Sequence, residues 1–151
     1  MATSISTVYD AILTELGTIF ASKTRIPNAY SLQDNPVQFL RDSYGLRVDA
    51  AVETQRDFCT FSRSRDFTVI LTREVIKTEI QTTQVDAAVK AILEDVYTLQ
   101  LHFKAADQIG AATSIDIINI GAFTGIDYFI FEKSNFMTTE VSFSINVSNS
   151  F

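Results

Sequence analysis

Residues able to do chemistry are few in this sequence and stand apart from one another. The chain has a single histidine, His102, in the apolar context Leu101-His102-Phe103, and it has no Gly-x-Ser-x-Gly motif. Such a motif would present a serine nucleophile on a sharp turn. A Ser/His/Asp site is formally possible, but geometry rather than composition defines a triad. A lone histidine between apolar residues is more typical of a packed or surface position, so we predict no catalytic residue.

Metal ligands are equally sparse. With one cysteine, Cys59, and one histidine, a structural zinc site is not expected. Asp57, Asp66 and Glu74 could offer oxygen ligands, but arginines are interleaved with them and no Asp-x-Asp-x-Asp-Gly calcium loop is present. Mutual ion pairing is the simpler interpretation of these carboxylates. We therefore predict no metal site.

No cofactor motif is found either. The segment Gly121-Ala-Phe-Thr-Gly125 lacks the Lys-Ser/Thr ending of a phosphate-binding loop, and its two glycines instead predict a hairpin turn. The aromatic run Tyr128–Phe131 could stack on bases, but basic residues are not interleaved with it. A strand covered on both faces is the preferred interpretation of that run, and no cofactor is expected.

Size and composition predict one soluble globular domain spanning residues 1–151. Hydrophobic residues make up 46% of the chain and charged residues 20%, close to the average for globular proteins. The net charge of −6 argues against a surface built to bind nucleic acid, which needs clustered Lys and Arg. One cysteine fits a reducing cytoplasm, and we predict neither a signal peptide nor a membrane span.

The sequence pattern of the first half of the chain predicts a helix, a long loop and two strands. Apolar residues recur at helical spacing through Ser6–Phe20. The turn-forming stretch 26–45 predicts a long loop, which is either mobile or engaged with a partner. Alternating residues then predict strands at Leu46–Glu53 and Asp66–Val75, joined by a hairpin over 54–65 that projects beyond the sheet.

The second half begins with the clearest element in the sequence, a helix over Val85–Leu99 with one apolar stripe. Three strand candidates follow at Ser114–Ile120, Ile126–Glu132 and Glu140–Ser148. The predicted fold is α+β in the order α-β-β-α-β-β-β. Its sheet is mainly antiparallel, and both helices pack on one face.

This order of elements resembles the tail-terminator proteins of long-tailed bacteriophages and, more loosely, other small tail-completion and neck proteins. The likeness covers nearly the whole chain. It rests on the N-terminal helix Ser6–Phe20, the proline-containing loop Ile26–Asn35, the two alternating strands, the helix Val85–Leu99 and the last strand Glu140–Ser148.

The resemblance implies a non-enzymatic virion protein at the head-proximal end of the tail, assembled in the host cytoplasm. Proteins of this kind form a ring, usually a hexamer, that stops growth of the tail tube and docks the head-side connector or stopper protein. DNA passes through the lumen without specific binding, and an acidic lumen would let it slide.

A closed ring requires head-to-tail contacts between subunits. The long loop 26–45 and the hairpin 54–65 are candidates to make them, and Phe58, Phe61, Arg63 and Arg65 are residue types that interfaces favour. Solvated loop residues with their aromatic rings folded back are an equally weighted interpretation of these four.

Three alternatives stay open. Another neck or minor tail component would differ only in its position in the virion. A soluble module that binds a small ligand or peptide would be a monomer or dimer with a well-formed pocket. An enzyme would require His102, so retained function after His102→Ala would exclude it.

Overall fold

The computed structural model describes residues 5–55, 60–75, 82–103 and 115–150, with side chains described for 6–49, 66–75, 83–103 and 125–145. The elements, in chain order, are α1 (Ile5–Ile19), β1 (Thr24–Arg25), two 3-10 turns (Leu32–Asp34 and Val37–Phe39), β2 (Asp42–Gln55), β3 (Thr60–Glu74), α2 (Thr82–His102), β4 (Ile115–Phe131) and β5 (Ser134–Ser150). The strands form one sheet in the order β1-β2-β3-β5-β4. Only the short β1–β2 pair is parallel, and the predicted α+β class is confirmed.

Both helices lie on one face of the sheet, as predicted. In α1, Val8, Ile12 and Leu16 recur every four residues and are fully buried, so they form one stripe. In α2 the corresponding stripe contains Ile92 and Leu99. These side chains belong to a single core cluster with the odd-numbered residues of β3 and β5, namely Phe67, Val69, Leu71, Met137, Val141, Phe143 and Ile145. Alternation along the strands delivers those residues to the helix side.

The opposite face of the sheet is covered by the loop between α1 and β2. Ile26 and Leu40 from this loop are buried against Ile70 of β3 and Phe136 of β5, and these residues form a second core cluster. Gly45 of β2 lets the loop approach closely, since a Cβ added there would lie 3.0 Å from the Ala29 Cβ. The loop predicted to be mobile or partner-bound is therefore engaged with its own sheet.

Asn35 holds this loop in shape. It is 3% exposed, and its side-chain oxygen accepts the backbone N–H of Asn28 at 2.7 Å. Its amide nitrogen donates to the carbonyls of Asn28, Ser31 and Leu32 at 2.9, 2.9 and 3.1 Å. One buried side chain thus satisfies four backbone groups in a segment without regular pairing.

The prediction of three C-terminal strands is wrong, because two long strands are present. The chain does not turn at Gly121–Gly125. It continues through β4, whose pairing with β5 shifts register three times, the last between Phe123 and Ile126. Gly125 has φ +98°, so this glycine marks an irregularity within a strand rather than a turn. The turn lies at Glu132 and Lys133 instead, both at positive φ.

The prediction for Ile126–Glu132 also requires correction, because this segment is not covered on both faces. Phe129 packs under the loop in the second cluster. Tyr128 and Ile130, which alternate with it, are 45% and 65% exposed. The helices cover the sheet only as far as Ile126 along this strand.

The predicted projecting hairpin 54–65 is largely part of the sheet. β2 and β3 pair as far as Gln55 and Phe61, and residues 60–65 of β3 also pair with 145–150 of β5 on their other side. Residues 56–59 lie outside the described part of the chain. The prediction ended the two strands too early because charged and polar residues occupy these positions. Pairing with β5 extends β3, and such long-range pairing is not visible in local alternation.

Candidate functional site

The four predicted interface residues occupy one stretch of the chain. Phe61, Arg63 and Arg65 are alternate positions of β3, in register with Asn149, Val147 and Ile145 of β5. Phe58 lies outside the described residues. The structure therefore gathers three of the four on one central strand, and their role in subunit contacts stays a prediction.

His102 lies where the two helices meet. Its Nε2 is 2.9 Å from the Glu15 carboxylate of α1, and its ring packs edge-on against Phe103 at 5.0 Å between centroids. The described hydrogen bonds place neither a serine hydroxyl nor a cysteine thiol next to the imidazole. This arrangement links α1 to α2, and it matches the packed-residue interpretation better than a triad.

Two of the three carboxylates that could offer oxygen ligands, Glu74 and Asp66, have separate partners. Glu74 pairs with Arg41 at 3.1 Å, and Asp66 accepts a hydrogen bond from the Ser144 hydroxyl at 2.5 Å. Asp57 lies outside the described residues. Among the residues described, no group of three His, Cys, Asp or Glu side chains could hold a metal ion.

Four charges from four parts of the fold meet beside the helix layer. Lys23 Nζ lies 2.5 Å from Asp42 and 2.9 Å from Asp95, and its side chain is only 6% exposed. Arg73 reaches the same two carboxylates at 3.3 and 3.5 Å. Two cations and two anions balance, so the cluster holds α2 to the sheet and leaves no net charge to attract a ligand.

A polar network crosses the loop-side face of the sheet. Arg47 donates to Asp49 at 2.9 Å and to Glu140 at 3.0 Å, so it spans the central strand β3. Thr68, which is 1% exposed, donates to Asp49 and lies 3.2 Å from the Ser142 hydroxyl. The hydrogen bond from Arg47 to Glu140 is the main cause that raises the pKa of Arg47 above its ordinary value. This face therefore carries paired charges and small hydroxyl groups.

An open groove lies on the outer surface of the helix layer. It has a volume of about 510 Å³ and is lined by Ile19 of α1 and, from α2, by Glu94, Tyr97, Thr98, Leu101 and His102. Two smaller hollows of about 230 and 270 Å³ lie beside Arg73 and beside Phe129. The groove is the largest of these three, and its lining offers aromatic and aliphatic surface with one carboxylate at the rim.

Among the residues whose side chains the structure describes, exposed large apolar side chains form one patch on α2 and one near the end of β4, and a single tyrosine lies in the loop. The first patch, on α2, consists of Leu93, Tyr97 and Leu101, which are 43%, 58% and 47% exposed. The second consists of Tyr128 and Ile130 near the end of β4. Tyr30, in the loop, is 63% exposed, but its hydroxyl accepts the Val48 backbone N–H at 3.2 Å.

Sequence reasoning missed the α2 patch although a signal was present. Leu93, Tyr97 and Leu101 recur every four residues, on a side of the helix different from the buried stripe that contains Ile92 and Leu99. A helix with a second apolar stripe at this spacing offers a ridge for packing. The β4 patch had no such signal, since bulky residues at consecutive positions suggested complete burial.

Comparison with known proteins gives no family for the chain. No family model matches it, and the curated proteins include no significant match. Among the residues that the structure describes, no helix has the length and apolar character to cross a membrane. The function must therefore be argued from the fold and from these surfaces.

Proposed function

We propose that this chain is a structural subunit that associates head-to-tail into a ring and, in the manner of phage tail terminators, caps a tail tube. The proposed ring would be a hexamer between the tail tube protein and a head-side connector or stopper protein, at the head-proximal end of the tail. DNA would pass through its lumen without specific binding.

The observation that carries this proposal is that exposed apolar side chains lie on two different elements of the fold. Leu93, Tyr97 and Leu101 lie on the outer side of α2, whereas Tyr128 and Ile130 lie on the edge strand β4. Two different surfaces on one protomer suit a heterologous contact, in which each copy offers one surface to each neighbour. Such contacts form a ring when the rotation between copies closes. Exposed clusters of this kind mark interaction surfaces.

The lengths of the strands give further support. β3 and β5 contain 15 and 17 residues, whereas the mean strand in globular proteins has about 5–6. Beyond Ile145, the last described core residue of β5, the strand continues through Ser150, a further distance of about 17 Å. Strands of this length offer an extended sheet for contacts with neighbouring subunits.

The experiment that tests this function is a capping assay. Purified chain is added to the cognate tube protein during polymerisation, and tube lengths and tube ends are measured by electron microscopy. We expect shorter tubes with an extra density at one end. Unchanged tube lengths and bare ends at a large molar excess of the chain would contradict a terminator role and would favour another neck or minor tail component.

The second candidate function is a soluble module that binds a small ligand or peptide, and the groove of about 510 Å³ between the helices favours it. Its rim and lining could hold an apolar side chain beside Glu94. This candidate predicts a monomer or dimer whose groove binds ligand in solution, so native mass separates it from a hexameric ring.

A further inference from the structure

We propose that the tip of the β4–β5 hairpin of one copy docks into the groove between α1 and α2 of a second copy. The hairpin tip consists of Ile130, Glu132 and Lys133. The groove is the hollow of about 510 Å³ described above, lined by Ile19, Glu94, Tyr97, Thr98, Leu101 and His102. This inference rests on the proposed ring, since it names the two surfaces that would form each subunit contact.

The hairpin tip presents an apolar side chain at the end of a rigid support. Ile130 is 65% exposed, the highest value among the exposed large hydrophobic side chains described. It pairs with Asn135 next to a two-residue turn, so the ladder fixes its position. An exposed β-branched residue on a stiff support loses little conformational freedom on binding. These properties are those of an anchor residue.

The turn itself is built from unfavourable residues. Glu132 and Lys133 have φ of +49° and +67°, the left-handed region that two-residue hairpin turns require and that Asn-Gly fills at least cost. Neither glutamate nor lysine favours this conformation. Strain at an exposed tip, where Asn-Gly would fold more easily, indicates that the two charges serve a contact outside the protomer.

Charges at the groove complement those at the tip. Glu94 lies at the rim, and Lys90 lies one helical turn before it on α2. The tip carries Glu132 and Lys133 side by side. None of these four residues forms an ion pair with another residue that the structure describes. A docked tip could therefore place Lys133 near Glu94 and Glu132 near Lys90.

A second copy of the chain is the occupant that these observations favour. The groove combines the apolar surfaces of Ile19, Tyr97 and Leu101 with the carboxylate of Glu94, and Lys90 lies one helical turn away; the tip combines Ile130 with a base and an acid. Because groove and tip belong to different parts of the fold, the contact is heterologous and leaves both surfaces available for further copies.

Disulfide trapping tests the contact directly. In a Cys59→Ser background, Ile130→Cys and Leu101→Cys are made singly and together, and the proteins are oxidised mildly. Disulfides form only when the two Cα atoms approach within about 7 Å. We expect the mixture of the two single variants to give covalent dimers, and the double variant to give a ladder that stops at the ring size. Asp127→Cys is the matched control. Residue 127 lies on the same strand as Ile130 but on the opposite face of the sheet, so Asp127→Cys should not cross-link with Leu101→Cys.

The outcomes separate this inference from the proposed function. If the unmodified chain forms rings but the mixture gives no dimers beyond the Asp127 control, the contact is overturned while the ring stands. Self-linking of Ile130→Cys alone would also overturn it, because that outcome requires an isologous contact. If neither rings nor cross-links form, at high concentration or on tube ends, the ring fails as well.

Charge exchange provides a second test that does not depend on cysteine chemistry. Lys133→Glu and Glu94→Lys should each weaken association about tenfold, and the two together should restore it. Replacing the turn by Glu132→Asn with Lys133→Gly should raise the melting temperature while weakening association. Unchanged association in all of these variants would overturn the proposed contact.

Discussion

The ammonium group of Lys23 lies 2.9 Å from a carboxylate oxygen of Asp95, which joins the segment after α1 to the middle of α2. The same ammonium contacts Asp42 at the start of β2 and lies 5.7 Å from the centre of the Phe20 ring. One nearly buried cation therefore connects both helices to the sheet.

Lys23→Met should lower the free energy of unfolding by about 2 kcal/mol, because Asp95 would keep only the longer contact to Arg73. Breaking a fully buried pair costs roughly 3–5 kcal/mol, and we expect less here since Asp42 is 43% exposed. Denaturant unfolding measures the change. Arg25→Met, which removes an exposed cation, is the control and should change stability by less than about 0.5 kcal/mol. Equal effects of the two variants would contradict this role for Lys23.

Asn35→Ala should lower the free energy of unfolding by about 2–3 kcal/mol, because it leaves buried backbone groups of the loop without partners. Asn35→Asp is the informative companion. It keeps an acceptor for the Asn28 N–H but places a carboxylate against three carbonyl oxygens, so it should destabilise at least as much at neutral pH. Amide hydrogen exchange should show lost protection at Asn28. If Asn35→Asp is as stable as the native chain, the described hydrogen bonds are not those that hold the loop.

Gly125→Ala should lower stability by about 1–2 kcal/mol even though no atom lies within 4 Å of the added Cβ. The cause is the backbone, whose φ of +98° is unfavourable for any L-residue with a side chain. Gly17→Ala in α1 is the matched control, since the nearest atom is 3.6 Å away and alanine favours helix by roughly 0.5–1 kcal/mol. Thermal unfolding should show the two substitutions moving the midpoint in opposite directions.

Arg47→Lys should reveal why arginine spans the polar network. The pKa of Arg47 is raised above its ordinary value, chiefly because the charged form hydrogen-bonds to Glu140. A raised pKa contributes stability that is complete below the unfolded value and lost only as pH rises through the folded value. The contribution of Arg47 is therefore constant through the neutral and moderately alkaline range. A lysine, whose ordinary pKa is about 10.4, would lose its charge as the pH rises past that value.

The stability difference between the native chain and Arg47→Lys should accordingly stay constant up to about pH 10 and widen as the pH rises past about 10.4. Other titrating groups are common to both proteins and cancel in the difference. Urea unfolding at several pH values measures it. A stability difference independent of pH would mean that arginine and lysine differ here only in geometry, because the guanidinium can donate to Asp49 and Glu140 at once.

Local periodicity predicted the regular elements well. The apolar stripes of α1 and α2 predict which of their residues face the core, and so does the alternation in Leu46–Glu53 and Asp66–Val75. The structure buries Val8, Ile92 and Phe67 accordingly. These elements depend on neighbours three, four or two residues apart, which are visible in the sequence.

Long-range features were not visible in the same way. The two glycines of 121–125 favoured a turn locally, but pairing along the whole of β5 keeps the chain extended. The loop after α1 has no periodic pattern of apolar residues. Its sequence therefore did not predict that Ile26 and Leu40 cover a second face of the sheet. The Lys23 cluster joins residues from distant parts of the chain, a proximity that only the fold creates.

The candidate surfaces also differ in whether local sequence could have predicted them. The four-residue spacing of Leu93, Tyr97 and Leu101 could have predicted the outer stripe of α2, whereas the exposure of Ile130 depends on where the helices stop covering the sheet. Phe61, Arg63 and Arg65 are placed on β3, and their part in subunit contacts remains a prediction.

The central claim is that the chain is a ring-forming subunit, and the native mass of the purified protein tests it most directly. Sedimentation equilibrium over a wide concentration range, with electron micrographs of the same sample, should give a closed oligomer, a hexamer by our proposal, seen as rings. A single monomeric species at the highest attainable concentration, with no rings on tube ends after tail tube protein is added, would contradict the claim.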